Sequence, residues 1–193
     1  MEKLSRNDLF SLEEYATRRD DFRARVMAHK AHRRVPVGPN FTLYFEDRLT
    51  IQYQVQEMLR AERIFEADGI EEELEAYNPL IPDGSNLKAT AMFEFEDREE
   101  RQRRLAELVG VEHRIWLQVA GHNRITAIAN EDLERSTEEK TSAVHFLRFE
   151  LDSDSIAALR DGAALSFGVD HEKYPHQTEV SATTLESLVS DLG

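Results

Sequence analysis

The chain of 193 residues carries 38 Asp and Glu against 24 Lys and Arg, which gives a formal net charge of −14. A charge of this sign repels phosphate at long range and disfavours nonspecific binding to nucleic acid or to an anionic membrane. The absence of cysteine excludes disulfides, thiolate metal ligands and cysteine nucleophiles, so a metal would need His, Asp or Glu ligands. No signal peptide or membrane-spanning run is present, and we expect a cytoplasmic protein.

The first predicted element is a long N-terminal helix. Ser11 and Glu14 have the spacing of a capping box, in which each side chain satisfies a helix-start amide. Apolar residues then recur on one stripe of the helix, at Tyr15, Phe22 and Val26. The pattern runs to about Arg34, before prolines end it. We expect residues 1–35 to be a helical extension of a single domain that spans residues 1–193.

The middle of the chain alternates between strand and helix patterns. We predict strands at 41–45 and from residue 87, where apolar and polar residues alternate. We predict helices at about 49–69, 70–77 and 97–110, with an irregular, proline-containing segment at 78–86.

The C-terminal half adds a predicted hairpin at 114–129, strands at 143–151 and 164–169, and helices at 153–162 and 183–192. A hairpin requires antiparallel pairing. The sequence therefore predicts an α+β fold with about six strands in a largely antiparallel sheet, and with helices on one face and at the ends.

A four-residue phrase, Phe-Glu-Asp-Arg, occurs twice, at 45–48 and at 95–98. Each copy lies where a predicted strand gives way to a helix. One interpretation is a duplicated unit with paired acidic sites. The other, which we favour, is that Asp47 and Asp97 are helix caps.

The C-terminal end of the first helix contains two histidines and several cations. His29 and His32 share a helix face and are candidates to chelate Zn or Fe, provided that carboxylates arrive from elsewhere. The alternative is favourable contact with the negative end of the helix dipole. A third interpretation is a site for a phosphate or carboxylate ligand, formed by Arg23, Arg25, Lys30, Arg33 and Arg34.

Two further regions supply candidate binding residues. His145 shares a strand face with Leu147 and Phe149, so it should point inward, either as a core histidine or as an acid–base group at the edge of a pocket. The proline-containing loop either turns the chain or binds a ligand, and its candidate residues are Asn78, Asp83, Asn86 and Lys88.

The segment Gly-Val-Asp-His-Glu-Lys-Tyr-Pro-His, residues 168–176, is polar and lies before the last predicted helix. Its strand should end near His171, with Asp170 pointing away from the core. His171 is a candidate metal ligand or proton carrier, with Tyr174 nearby, if a second group meets it. The alternative is an exposed polar loop.

No phosphate-binding glycine loop, nucleophile elbow or His-Glu-x-x-His motif is present. Long phrases of the chain, among them AYNPLIPDGSNLKATAMFEF, TSAVHFLRFEL and GVDHEKY, resemble a bacterial family of unknown function. The resemblance covers nearly the whole chain. Members of that family are encoded beside rubrerythrin and an iron–sulfur oxidoreductase of the heterodisulfide-reductase type, which implies a redox-linked or peroxide-linked role.

Three hypotheses of different class follow. The first is an accessory or ligand-binding protein that serves a non-haem iron or iron–sulfur partner, in keeping with the resemblance. The second is a small enzyme that uses His and carboxylates, with or without a divalent metal. The third is a nucleic-acid-binding regulator that uses the basic helix end, which the overall charge disfavours.

Overall fold

The computed structural model describes all of residues 1–193. It contains six α-helices: α1 Leu12–Ala31, α2 Arg48–Glu62, α3 Ala67–Tyr77, α4 Arg98–Glu107, α5 Ser153–Arg160 and α6 Ala182–Val189. Its nine strands are β1 Arg34–Pro36, β2 Phe41–Glu46, β3 Asn86–Phe93, β4 Ile115–Val119, β5 Ile125–Thr126, β6 Ile128–Ala129, β7 Val144–Glu150, β8 Leu165–His171 and β9 Tyr174–Glu179. The predicted α+β class is confirmed.

The strands form two antiparallel sheets rather than one. Sheet A has the order β1-β2-β3-β7-β6, and sheet B has the order β5-β4-β8-β9. The predicted hairpin at 114–129 accounts for part of the difference from a single sheet. Its second arm is divided by Ala127, so that β5 pairs with β4 in sheet B and β6 pairs with β7 in sheet A.

The main core lies between the inner faces of the two sheets and contains 28 buried apolar residues. Aromatic rings join the sheets across this core: Phe167 of sheet B lies 5.0 Å from Phe45 and 5.4 Å from Phe149 of sheet A, measured between ring centroids. The inward positions of β7 alternate with half-buried ones, as its period of two requires.

The helices α1, α2 and α3 lie on the opposite, outer face of sheet A. Two small apolar clusters hold them together. One joins α2 to α3 through Ile51, Val55, Leu59 and Leu74, and the other packs Tyr15, Phe22 and Val26 of α1 against Leu49 and Tyr53 of α2. The stripe predicted for α1 is therefore the face that the helix buries. No helix is both long and apolar enough to cross a membrane.

Both copies of the repeated phrase end in a helix cap. The Asp47 carboxylate accepts from the amide of Thr50 at the start of α2, and the Asp97 carboxylate accepts from the amide of Glu100 at the start of α4. The capping interpretation accounts for both. Helix α6 begins at Ala182, one residue before its predicted start, and Ser181 caps it by accepting from the amide of Thr184.

Strand β9 was not predicted from the sequence. After β8 the chain turns at Glu172 and Lys173 and returns as an edge strand, in which Tyr174 pairs with His171 and His176 pairs with Val169. The exposed polar loop predicted for this region is therefore wrong, and Pro175 is tolerated because β9 lies at the edge of its sheet.

Candidate functional site

A cleft separates the helical layer from the outer face of sheet A. Its larger part lies between α1, α2 and the sheet and has a volume of about 580 Å³. Its smaller part lies between α3 and the sheet and has a volume of about 360 Å³. We call these the α1 end and the α3 end of the helix–sheet cleft. Both volumes lie within the range of small-molecule sites.

The two ends of the cleft share three apolar side chains, Tyr77, Leu80 and Phe146. All three are only half-buried, although large apolar side chains in a packed layer are usually covered. Further apolar groups line the α1 end, namely Met27, Ala31, Tyr44, Ile51, Met92 and Val144. The cleft therefore presents a continuous apolar wall to whatever enters it.

A buried carboxylate lies in the wall of the α1 end. Glu46 is 8% exposed, and its two oxygens accept hydrogen bonds from the hydroxyls of Thr50, at 2.6 Å, and Thr90, at 2.8 Å. These donors meet the requirement that a buried carboxylate be hydrogen-bonded. Glu46 is thus held in place by the protein, with each oxygen already paired.

Two cations lie at the α1 end, Lys30 from the last turn of α1 and Arg34 from β1. The Arg34 guanidinium lies 5.8 Å from the Tyr44 ring centroid, a cation–π contact that holds it along the cleft wall. Arg34 was a candidate from the sequence, and the structure places it at the largest cavity of the outer face of sheet A.

Lys88, another sequence candidate, lies at the α3 end of the cleft. Its ammonium group donates to the carbonyl oxygen of Pro79 at 2.6 Å. Burial lowers the pKa of Lys88, because the charged form loses water on entering the wall of the cleft. Its neighbour Arg148 is instead neutralised by ion pairs with Glu131 and Glu150.

Arg33 lies one residue from Arg34 but points into the protein, where it is 1% exposed. Its guanidinium donates to the carbonyl oxygens of Phe45 and Glu46 and to the carboxylate of Asp191. It also lies 3.5 Å from Asp47. All of these partners are protein groups, so Arg33 joins the end of α1 to the start of α2 and to the C-terminus.

His29 completes this ion network, since its Nε2 lies 2.5 Å from Oδ2 of Asp47. Burial alone would raise the pKa of Asp47, but the charge of Arg33 and the amide of Thr50 lower it overall. At Asp191 burial prevails over the opposing charge of Arg33 and raises the pKa to about 6. A His–Asp pair can transfer protons, yet Asp47 already serves as a helix cap and as a partner of Arg33.

The three metal candidates lie apart. His32 is exposed, whereas His29 contacts Asp47. His171 lies at the end of β8, where its ring contacts the carbonyl oxygen of Val109 at 3.3 Å. No group of three or more His, Asp or Glu side chains is arranged to hold a metal ion.

His145 is fully buried in a polar network, as its strand position predicted. Nε2 donates to the carbonyl oxygen of Ser142 at 3.0 Å, and Nδ1 accepts from the side-chain Nδ2 of Asn130 at 3.0 Å. Burial lowers the pKa of His145 against the opposing charge of Glu112. The imidazole is therefore a neutral core group. Of the two roles that the sequence left open for His145, this is the core histidine and not the acid–base group.

Three loop candidates stabilise the fold around the cleft. The Asn78 side chain exchanges two hydrogen bonds with the backbone of Leu4. Asp83 accepts from the amide of Ser85 in a turn, and Asn86 donates to Glu150. These bonds fix the loop that carries Leu80 into the cleft, and of the four candidates in this segment Lys88 is the one that lines the cleft.

Tyr174 joins the two sheets. It is 1% exposed, and its hydroxyl donates to the carbonyl oxygen of Val37 and accepts from the amide of Asn40. Gly38, between these two residues, has a φ of +75°, and an added Cβ would lie 2.8 Å from the Tyr174 hydroxyl. The glycine thus allows the β1–β2 turn to approach β9 closely.

Sequence reasoning missed the residues that shape the cleft, above all Tyr77, Leu80 and Phe146. They come from three separate elements, so no local spacing connects them. One signal was present in the outward positions of β7, where Val144 and Phe146 are apolar on a face that a solvent-exposed strand would make polar.

A family model described as "Protein of unknown function (DUF3501)" matches residues 3–192. A crystal structure of a novel protein of unknown function from Burkholderia pseudomallei K96243 is 51% identical over 100% of both chains, with a TM-score of 0.95. The comparison with curated proteins gave no match. The family model spans nearly the whole chain, and the protein therefore belongs to the DUF3501 family of unknown function.

Proposed function

We propose that this protein is a small-molecule-binding protein whose site is the helix–sheet cleft, and that the bound molecule serves a redox partner. The observation that carries the first part is the apolar wall of the cleft. Half-buried aromatic and aliphatic side chains face a volume of about 580 Å³, beside a few fixed polar groups. Ligand sites in proteins combine these same two features.

The geometry favours binding over catalysis. The buried carboxylate of the cleft wall, Glu46, is already paired, since it accepts from Thr50 and Thr90. The buried histidine, His145, is held in a network of its own that includes Thr141 and Asn130. A small enzyme that uses His and carboxylates would need one of these two groups free to meet the substrate.

The second part of the proposal rests on the resemblance of the sequence to a family encoded beside rubrerythrin and an iron–sulfur oxidoreductase. A cysteine-free chain has no ligands of its own for an iron–sulfur cluster of the all-cysteine type. We therefore assign the iron chemistry to the partner and ligand binding to this protein.

Binding of the uncharged fluorescent probe N-phenyl-1-naphthylamine tests the site. We expect probe fluorescence to rise when the wild-type protein is added. The apparent affinity of Ala31→Trp for the probe should be at least about tenfold lower, because the indole fills the α1 end. Ala16→Trp is the matched control on the same helix, since Ala16 is exposed and distant from the cleft. Equal binding to Ala31→Trp and wild type would contradict the site.

The redox link has a separate test. Sedimentation velocity of the protein with a purified rubrerythrin, or with the iron–sulfur oxidoreductase, from the same genome should reveal a complex with one of them. Free sedimentation of the protein in both mixtures would contradict the partner assignment and leave the cleft as a binding site.

A further inference from the structure

The charges that line the helix–sheet cleft are unevenly neutralised. Lys30, Arg34 and Lys88 take part in none of the ion pairs of the structure. By contrast, Arg148 is paired with both Glu131 and Glu150. Three unpaired cations on one surface are unexpected in a chain with a net charge of −14.

The α1 end of the cleft is lined by two cations, Lys30 and Arg34, and by one carboxylate, Glu46, so it carries more positive than negative charge. Glu46 has both oxygens occupied by threonine hydroxyls. Glu131 and Asp132, at the α3 end, are paired with Arg148 and Arg135. Of the acidic groups in the cleft, Glu73 alone lacks such a partner, and it lies at the α3 end with Lys88. The excess of positive charge therefore lies at the α1 end.

Lys30 and Arg34 approach the α1 end from adjoining elements, the last turn of α1 and strand β1. Tyr44, the cross-strand neighbour of Arg34, donates its hydroxyl to Glu94, and Arg34 itself forms no ion pair with a carboxylate. A planar guanidinium beside an ammonium group matches a carboxylate or a phosphate.

We propose that the helix–sheet cleft takes an amphipathic anion, with a carboxylate or phosphate-ester head between Lys30 and Arg34 and an apolar body along Tyr77, Leu80 and Phe146. This rests on the proposed function, and it adds the ligand class and its orientation. The body continues toward Met58 at the α3 end, since the two ends share those three apolar side chains.

Displacement of N-phenyl-1-naphthylamine by three molecules with the same ten-carbon chain tests the ligand class. Decanoate and decyl phosphate carry the anionic heads, whereas decan-1-ol carries none. We expect both anions to displace the probe at about tenfold lower concentration than the alcohol. A preference for one anion over the other identifies the head group, and either preference supports the proposal.

The Lys30→Gln/Arg34→Gln double variant tests the orientation. It should lose the anion preference, so that decanoate binds about as weakly as decan-1-ol, while affinity for the alcohol stays within about twofold. The control Arg103→Gln/Lys140→Gln removes two exposed positive charges that do not line the cleft and should retain the preference.

The two proposals fail in different ways. If all three molecules displace the probe equally, or if the double variant keeps the anion preference, the anion proposal is overturned and the cleft remains a ligand site. If the probe itself binds equally to wild type and Ala31→Trp, the proposed function is overturned as well.

Discussion

The outer faces of the two sheets are covered in different ways. Three helices cover sheet A but stand away from it, which leaves the cleft between Phe146 of β7 and Tyr77 at the end of α3. On the outer face of sheet B, the Trp116 ring lies against Gly168, and the Arg124 guanidinium lies 3.8 Å from the ring centroid.

The capacity to bind a ligand in this fold depends on how each outer face is covered. The Trp116 side chain is 5% exposed although it points away from the core, so sheet B closes its outer face with its own side chains. The outer face of sheet A is instead covered by the helices α1, α2 and α3, and the helix–sheet cleft remains between these helices and the sheet. Substitutions in each region test whether Arg33 holds the helical layer in place and whether the two outer faces are independent.

The largest effect is expected at Arg33, which holds the helical layer to the C-terminus. Arg33→Met leaves the buried carboxylates of Asp47 and Asp191 without their cation, and should lower the free energy of unfolding by about 3–5 kcal/mol. Urea denaturation measures this loss. The neighbouring Arg34→Met should change stability by less than about 0.5 kcal/mol, since Arg34 is exposed. Equal effects of the two changes would contradict the network.

The same network predicts a pH dependence. Burial raises the pKa of Asp191 from 3.8 to about 6, so the stability it contributes is complete below about pH 4 and is lost as pH rises through 6. Asp191→Asn cannot titrate. Between pH 4 and pH 7, the free energy of unfolding of the variant should therefore rise relative to that of wild type by up to about 3 kcal/mol. This is the energy that corresponds to a pKa shift of about two units. Urea midpoints across this range measure it, and a constant difference would show that Asp191 has an ordinary pKa.

On sheet B, a smaller loss is expected from Gly168→Ala, because the added methyl group overlaps the Trp116 ring. We expect a loss of about 1–3 kcal/mol in the free energy of unfolding. Gly168→Ala/Trp116→Leu should recover part of it, since the smaller side chain makes room. Probe binding in the cleft should be unchanged in both variants, and a parallel loss of binding would show that the two faces are coupled.

The smallest effect is expected from Arg124→Ala, which uncovers Trp116 and breaks an ion pair with Asp170. Both charged side chains are well exposed, so the loss should be about 1 kcal/mol. Arg103→Ala, at an exposed position on α4, serves as the control and should be neutral. An effect at Arg124 no larger than at Arg103 would mean that the stacked guanidinium does not stabilise sheet B.

The sequence predicted the elements whose signals are local. The caps at Asp47 and Asp97 follow from residue type and position, and the inward orientation of His145 follows from strand alternation. Strand β9 was missed because its residues between Tyr174 and Val180 are mostly exposed, so an edge strand leaves no apolar alternation to recognise.

The candidate site was predicted in part, through Arg34 and Lys88. Arg33 shows why the other residues of the site could not be predicted from the sequence. Two adjacent arginines in the sequence point in opposite directions, one into a network with Asp191 and one toward the cleft. The difference depends on the C-terminal residues, more than 150 positions away, that meet Arg33. A cleft formed by α1, α3 and β7 depends on the same kind of distant contact.

The methionines offer the most direct test of the cleft as a ligand site. Met27, Met58 and Met92 line it, and Met1, the fourth methionine of the chain, does not. In protein labelled with ¹³C at the methionine methyl groups and with ¹⁵N at the Trp116 indole, titration with decanoate should shift the methyl resonances of Met27, Met58 and Met92 and leave those of Met1 and of the indole unchanged. Shifts confined to Met1 or Trp116, or no shifts at saturating decanoate, would contradict the account.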